Sequence, residues 1–298
     1  MRFSILGPMS VTENGSYLTP SAPKHRQMLA LLLMSANRVV SMGQFVEELW
    51  EYSPPPRAVA AVHTYVMQLR RMLKESEASP ASRDSGRIVT RDQGYLLRVR
   101  EDELDLNAYE HRIRAGRAAL DAGKLDEGAR QLRAAHAMWS GPGFIDAPTG
   151  PLLRAALAAI GQAHTESVVQ RMDAELRLGR HHQLLAELHA LVHRDPTNEE
   201  LTGQLMLALY RSGRQADALT VFHRLCDVLR AELGTSPRQR IHHLITDILA
   251  GHPRLEPPSA SEFRPSLDAG VPESRPCAAR PRTGSPDRSG AQPVLLGA

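Results

Sequence analysis

The sequence predicts a mostly α-helical protein with a small β component: a mixed N-terminal domain, an all-α middle and a disordered tail. Three observations carry this. Hydrophobic residues make up 42% of the 298 positions but aromatics only 4%, so the cores must be built from Leu, Ala and Val, a supply that suits helices. Gly-centred turns separate long apolar-periodic stretches from Leu104 onward, whereas short alternating runs are confined to the first hundred residues. Nine of the 21 prolines fall in residues 252–298, among Ser, Arg and Gly with few large apolar side chains, a composition that cannot pay for an ordered core.

The N-terminal elements follow in order. RFSILG (2–7), SVTE (10–13) and SYL (16–18) read as strands, with Gly7-Pro8 and Asn14-Gly15 as turns. Asn-Gly between alternating runs is a hairpin signal, because both residue types accept positive φ. Residues 24–36, KHRQMLALLLMSA, are apolar nearly all round and form a buried helix. Ser41-Met42-Gly43-Gln44 has the Ser-x-x-Gln form of a capping box and opens a short helix, QFVEELW. Pro54-Pro55-Pro56 stops it and starts the next, over residues 57–75. After the polar loop SEASPASRDSGR, the segment IVTRDQGYLLRV (88–99) alternates around a turn as a β-hairpin. Strands, three helices and a hairpin make a winged helix-turn-helix with an added N-terminal sheet. The alternative is a small α+β domain with no nucleic-acid role.

The middle third repeats a theme. DAGKLDEGA (121–129), RLGRHHQLL (177–185) and RSGRQADAL (211–219) each set Gly between two helices, and Gly179 and Gly213 stand 34 residues apart, the tetratricopeptide period. The 56-residue step from Gly123 to Gly179 breaks that period and places an insertion at SGPGFIDAPTGP. Asp195-Pro196 and Ser236-Pro237 end or restart helices. The expected domains are therefore 1–100, a winged helix; 101–251, a tetratricopeptide-like stack; and 252–298, the disordered Pro-rich tail.

Charge and the helix over 57–75 suggest a job for the first domain. Residues 1–100 hold 13 Lys and Arg against 8 Asp and Glu, while residues 101–251 hold 17 against 20. A basic module joined to a slightly acidic one suits a polyanion partner. At 100° per residue Val59, Val62, Val66, Leu69 and Leu73, flanked by Ala58 and Tyr65, form a core stripe. The opposite face carries Arg57, Ala60, Thr64, Met67, Gln68 and Arg71, with no acid before Glu75. Small residues at 60 and 64 allow a groove wall to approach; Gln68 can pair with an adenine edge, and Thr64 or Met67 can touch a thymine methyl. Arg70, at the flank of the stripe, is placed to reach phosphate.

These residues carry a family likeness. The first hundred residues resemble the OmpR-type winged helix, and the fuller pattern resembles the Streptomyces antibiotic regulatory proteins: ILGP (5–8), KHRQMLALLLMSANRVVS (24–41), ELW (48–50) before prolines, YVMQLRRML (65–73) and GYLLRV (94–99). AHAMWSGP (135–142), HRDPTNEEL (193–201), LMLALYRSGRQADALTVFHRL (205–225) and ELGTSPRQRI (232–241) resemble the bacterial transcriptional activator domain. The resemblance implies a pathway-specific activator of antibiotic or other secondary-metabolite genes. Such a protein binds direct repeats in double-stranded promoter DNA, as a homodimer there, and recruits RNA polymerase through its sigma and core subunits. It further implies that Ala60, Thr64, Met67 and Gln68 face the major groove and that Arg57 flanks them. Arg70, Arg71 and Ser41 would then take phosphates, with Arg91 in the adjacent minor groove. Related winged helices can hold Arg where this chain has Ala60 and Met67, so base preference does not transfer; Glu51 stands where the family usually has Gly.

Other function classes find no support in the residues. His189 and His193 are one helical turn apart, a ligand spacing, but HExxH is absent and neither Cys226 nor Cys277 is near. There is no nucleophile elbow and no phosphate loop of the GxxxxGK[ST] kind, so no cofactor and no enzyme activity are expected. No apolar run approaches the ~18–20 residues of a membrane span, and a cytoplasmic, nucleoid-associated protein is expected. The rival reading is a helical-repeat adaptor whose winged helix binds protein.

Overall fold

A computed structural model describes residues 1–73, 86–141 and 146–256, all within one unit, Met1–Ala260. Most of the expected polar loop before the hairpin, part of the expected insertion and the expected tail beyond Glu256 lie outside the described residues.

The chain opens with an antiparallel sheet of β1 (Arg2–Ser4), β2 (Ser10–Glu13) and β3 (Ser16–Tyr17). The β2–β3 turn is Asn14-Gly15, at φ +49 and +80, the two consecutive positive values that select these residues. Then come α1 (Pro23–Met34), β4 (Val39–Ser41), α2 (Met42–Trp50) and α3 (Ala58–Met72), followed by the hairpin β5 (Ile88–Arg91) and β6 (Gly94–Leu97). Strand β4 was not expected from the sequence. It pairs with β6, giving a second sheet ordered β4-β6-β5. Gly94 is required there by closeness alone, since a Cβ would lie 1.9 Å from the Val40 carbonyl oxygen. The winged helix-turn-helix is thus present, and Ser41 caps α2 in the expected box: its Oγ accepts from Gln44 N at 3.3 Å while Gln44 Oε1 accepts from Ser41 N at 2.9 Å.

Among the described residues seven α-helices follow: α4 (Asp105–Asp121), α5 (Leu125–His136), α6 (Pro151–Arg177), α7 (His181–Arg194), α8 (Glu199–Arg211), α9 (Gln215–Leu233) and α10 (Gln239–Ala250). Gly123, Gly179 and Gly213 close α4, α6 and α8 at φ +74, +75 and +75. Each turn repeats one pattern: the residue after the glycine donates back across the end of the helix, Lys124 to Ala119, Arg180 to Glu175 and Arg214 to Leu209. That six-to-one bond is the Schellman termination, and it explains why glycine recurs at this place.

The apolar core divides elsewhere than the change in composition near residue 100 suggests. One cluster runs from Phe3 to Leu153 and takes in Leu104, Leu106, Tyr109 and Ile113 of the α4 region, Leu132 and Ala135 of α5 and Leu153 of α6. The other runs from Val168 to Leu255. Helix α6 contributes to both, so the first helical hairpin completes the core of the winged helix. Between them lies a polar seam. His136 Nε2 and Ser167 Oγ are 2.9 Å apart, Arg171 Nε donates to His136 Nδ1 at 3.0 Å, and Trp139 stacks on His164 with ring centres 4.2 Å apart. Burial, aided by Arg171, drives the His136 pKa down to about 3; burial and the same arginine take His164 to about 4.

Candidate nucleic-acid interface

Helix α3 is held by one face and offers the other. Val62, Val66 and Leu69 are buried within α3 and Leu73 just after it, as the periodicity predicts. Val59 departs from the expectation. It is 50% exposed, whereas Ala58 is buried, because α3 enters the core one residue earlier in its first turn. Tyr65 sits edge-on to His25 of α1 and stacks with Trp50 at the end of α2, fixing α3 against both preceding helices.

Arg57, Ala60, Thr64, Met67, Gln68 and Arg71 are all exposed, Met67 to 63%. Thr64 Oγ1 donates to the Ala60 carbonyl at 3.0 Å, which holds its rotamer. Gln68 Oε1 is paired with His25 Nε2, so α1 orients this amide. The two adjacent arginines diverge. Arg71 remains exposed, but Arg70 does not reach outward as expected: its Nε and Nη2 donate to the Ile88 carbonyl at 3.0 and 2.7 Å, and Nη2 also donates to Thr90 Oγ1 at 2.9 Å. Its guanidinium lies 5.7 Å from the Tyr95 ring centre. Arg70 therefore straps the wing to α3.

The wing stands beside this face. Arg91 is exposed at the end of β5 opposite Gly94, with Asp92-Gln93 as the two-residue tip. Gln93 accepts from the backbone N–H of Met42, which joins the tip to the start of α2 and brings Ser41 close to it. Arg87, just before β5, forms a two-bond pair with Glu103 at 2.9 and 2.8 Å. That pairing is the first cause of the depressed Glu103 pKa, about 2, with the Arg100 backbone N–H adding to it against the effect of burial.

One residue escaped the sequence reading. His63 is exposed on α3, and its Nδ1 lies 2.5 Å from the Tyr95 hydroxyl. It follows Ala60 by three residues and precedes Met67 by four, so helical spacing alone puts it beside the exposed face of α3. The Glu51 backbone, at φ +51, takes the conformation that favours the glycine usual in the resembling family, and Arg154 Nη1 holds its carboxylate at 2.8 Å.

Two family models match the chain. Residues 19–97 fit "Transcriptional regulatory protein, C terminal", and residues 104–249 fit "Bacterial transcriptional activator domain". The regulatory protein DnrI of Streptomyces peucetius is 37% identical over 260 residues, covering 86% of this chain and 94% of that protein. The chain belongs to the Streptomyces antibiotic regulatory protein family. Within this family the regulatory protein AfsR of Streptomyces coelicolor is 35% identical over 262 residues, but the chain spans only 25% of it. The structure of Mycobacterium tuberculosis EmbR in complex with a low-affinity phosphopeptide superposes with a TM-score of 0.77 at 32% identity, covering 85% of this chain and 65% of that one. As a member of the family the chain is a transcriptional regulator, an activator with a DNA-binding winged helix-turn-helix. Among the described residues no helix is long and apolar enough to cross a membrane.

Proposed function

We propose that this regulator activates a secondary-metabolite gene cluster by binding direct repeats in its promoters, two copies side by side, and recruiting RNA polymerase. We propose residues 1–100 as the DNA-binding domain, 101–251 as the activator domain and 252–298 as a tail whose first residues, through Leu255, still pack on the second core. The observation that carries the reading is the exposed, acid-free face of α3 beside the exposed Arg91 of the wing. Ala60, Thr64, Met67 and Gln68 enter the major groove, with His63 at their flank. Arg57, Arg71 and Ser41 lie toward phosphates and Arg91 toward the minor groove. Arg70 acts indirectly, by setting the wing's position.

Sequencing of genomic DNA captured by the full-length protein tests this. Enrichment of direct repeats spaced about one helical turn apart, roughly 10–11 base pairs, is expected; enrichment no greater than for random DNA would overturn the reading and favour a protein-binding adaptor. Gln68→Ala should change base preference at a cost of about 1–3 kcal/mol, and Arg91→Ala should weaken all sites alike while flattening the salt dependence.

A further inference from the structure

A buried carboxylate joins the winged helix to the helical half. Glu48 of α2 is fully buried, and its oxygens accept the backbone N–H groups of Gly150 at 2.5 Å, Leu152 at 2.9 Å and Leu153 at 3.0 Å. Gly150 is the N-cap position of α6 and has no side chain with which to cap it, while Pro151 at the first helical position has no N–H to satisfy. The donors that every helix start leaves open are thus met from a different element, 102 residues back in the chain for Gly150, and the positive end of the α6 dipole meets a negative charge. Gln27 of α1 fixes the acceptor from behind, donating to Glu48 Oε1 at 3.0 Å and to its backbone carbonyl at 2.6 Å.

We propose that Glu48 is a positioning residue that sets the helical half against the recognition helix, so that α6 and α3 act as one body when the protein is on DNA. Two features point to the same contact. A Cβ at position 150 would lie 2.0 Å from the Glu48 carbonyl oxygen, although the local φ of −87 is open to any residue, so glycine is needed only because α2 comes so near. Three residues along, Glu51 ends α2 and pairs with Arg154 of α6. The proposal rests on α3 as the DNA-reading helix, and the experiment separates the two.

Full-length Glu48→Gln and Gly150→Ala attack the contact from opposite sides; Gly161→Ala, on the same helix with nothing within 4 Å of its added Cβ, is the control. Three quantities are measured: amide hydrogen exchange at residues 150–153, affinity for a site that the unaltered protein selects from random-sequence DNA, and transcription by purified RNA polymerase from a template bearing that site. In both variants exchange at Gly150, Leu152 and Leu153 should rise about tenfold or more. Affinity should stay within roughly threefold and transcription fall at least about fivefold, as loss of orientation without loss of base contacts requires. The control should change nothing. Unchanged exchange would remove the cap. Faster exchange with undiminished transcription would remove its positioning role, and affinity falling in step with transcription would reduce Glu48 to a folding residue of the winged helix. Should Glu48→Gln not fold, Gly150→Ala, which substitutes no residue of the winged helix, decides. If the unaltered protein selects no DNA, the reading of α3 fails and the positioning role with it, while exchange still reports on the cap itself.

Discussion

Around the first core, separate segments of the chain are tied by acids, three of them buried or half-buried and Asp146 exposed. Glu48 holds the start of α6, Asp105 accepts the backbone N–H groups of Ile5 and Leu6 at 2.9–3.2 Å, Asp146 accepts that of Met9 at 2.8 Å, and Glu103 holds Arg87. Around the second core, α7 packs on α8 and α8 on α9, its neighbours in the chain, and α6 and α10 also lie on α8, through Leu, Ala, Met and Ile, with glycine closing α6, α8, α9 and α10. The first arrangement needs distant residues to arrive together; the second can be built one hairpin at a time. The difference teaches where coupling to DNA can reside. A helical stack held by local contacts tolerates change in one hairpin, whereas an acid shared between two elements transmits the change to both.

The sharpest test of the contrast is a cavity in each core. Leu209→Ala and Leu69→Ala, both at fully buried leucines, should each cost about 3–4 kcal/mol. By calorimetry Leu209→Ala should lower a transition of the helical half and leave that of the winged helix in place. A single transition falling equally in both variants would break the comparison.

Next in size is pH, which acts on the seam between the cores. His136 and His164 have folded pKa values of about 3 and about 4, below the unfolded value of about 6.5, so the unfolded chain binds protons that the folded chain refuses. Their full stability holds above pH 6.5, and it is lost as pH falls through 6.5 toward 4 and 3, by an amount on the order of 2–3 kcal/mol at pH 5 after allowance for partial exposure. Trp139, stacked on His164, reports this by fluorescence. A His164→Phe variant should flatten the dependence, and an unaltered slope would remove that histidine from the account.

Glu103→Gln comes third. It weakens the paired bonds from Arg87 and should cost about 2 kcal/mol at pH 7 in a denaturant melt. Because the depressed pKa means that this contribution is present above about pH 4.5 and lost as pH falls through about 2, the gap between variant and parent should close in strong acid. The smallest effect is that of Gly213→Ala in the second core, where φ is +75. About 1 kcal/mol is expected, read as a shift of the helical transition alone.

Much of the fold was legible because its signals are local. Ser41 with Gln44, Asn14-Gly15 and the three glycines each answer a demand made by their own few residues, for a cap or for positive φ. Strand β4 was not legible, since Val39-Val40-Ser41 is too short to show alternation and becomes a strand only against β6. At the candidate interface the wheel separated Ala60, Thr64, Met67 and Gln68 from Val62, Val66 and Leu69, as burial now has it. It misplaced Val59, for periodicity does not say where a helix first meets its core. It passed over His63, whose pairing with Tyr95 depends on where the wing lies.

By itself the sequence determined the order of the helices and of every strand but β4, the glycine-closed helix ends and most of the apolar side of α3, because backbone conformation and hydrophobic period are set by residue type and spacing. Only the tertiary structure decided that Arg70 turns inward while Arg71 stays exposed, that Arg87 binds Glu103, and that Glu48 caps a helix beginning at Pro151. A charged side chain looks the same in sequence whether it meets water or a partner. Which one it meets depends on the donors and acceptors that folding brings beside it, from a hundred residues away in the case of Glu48.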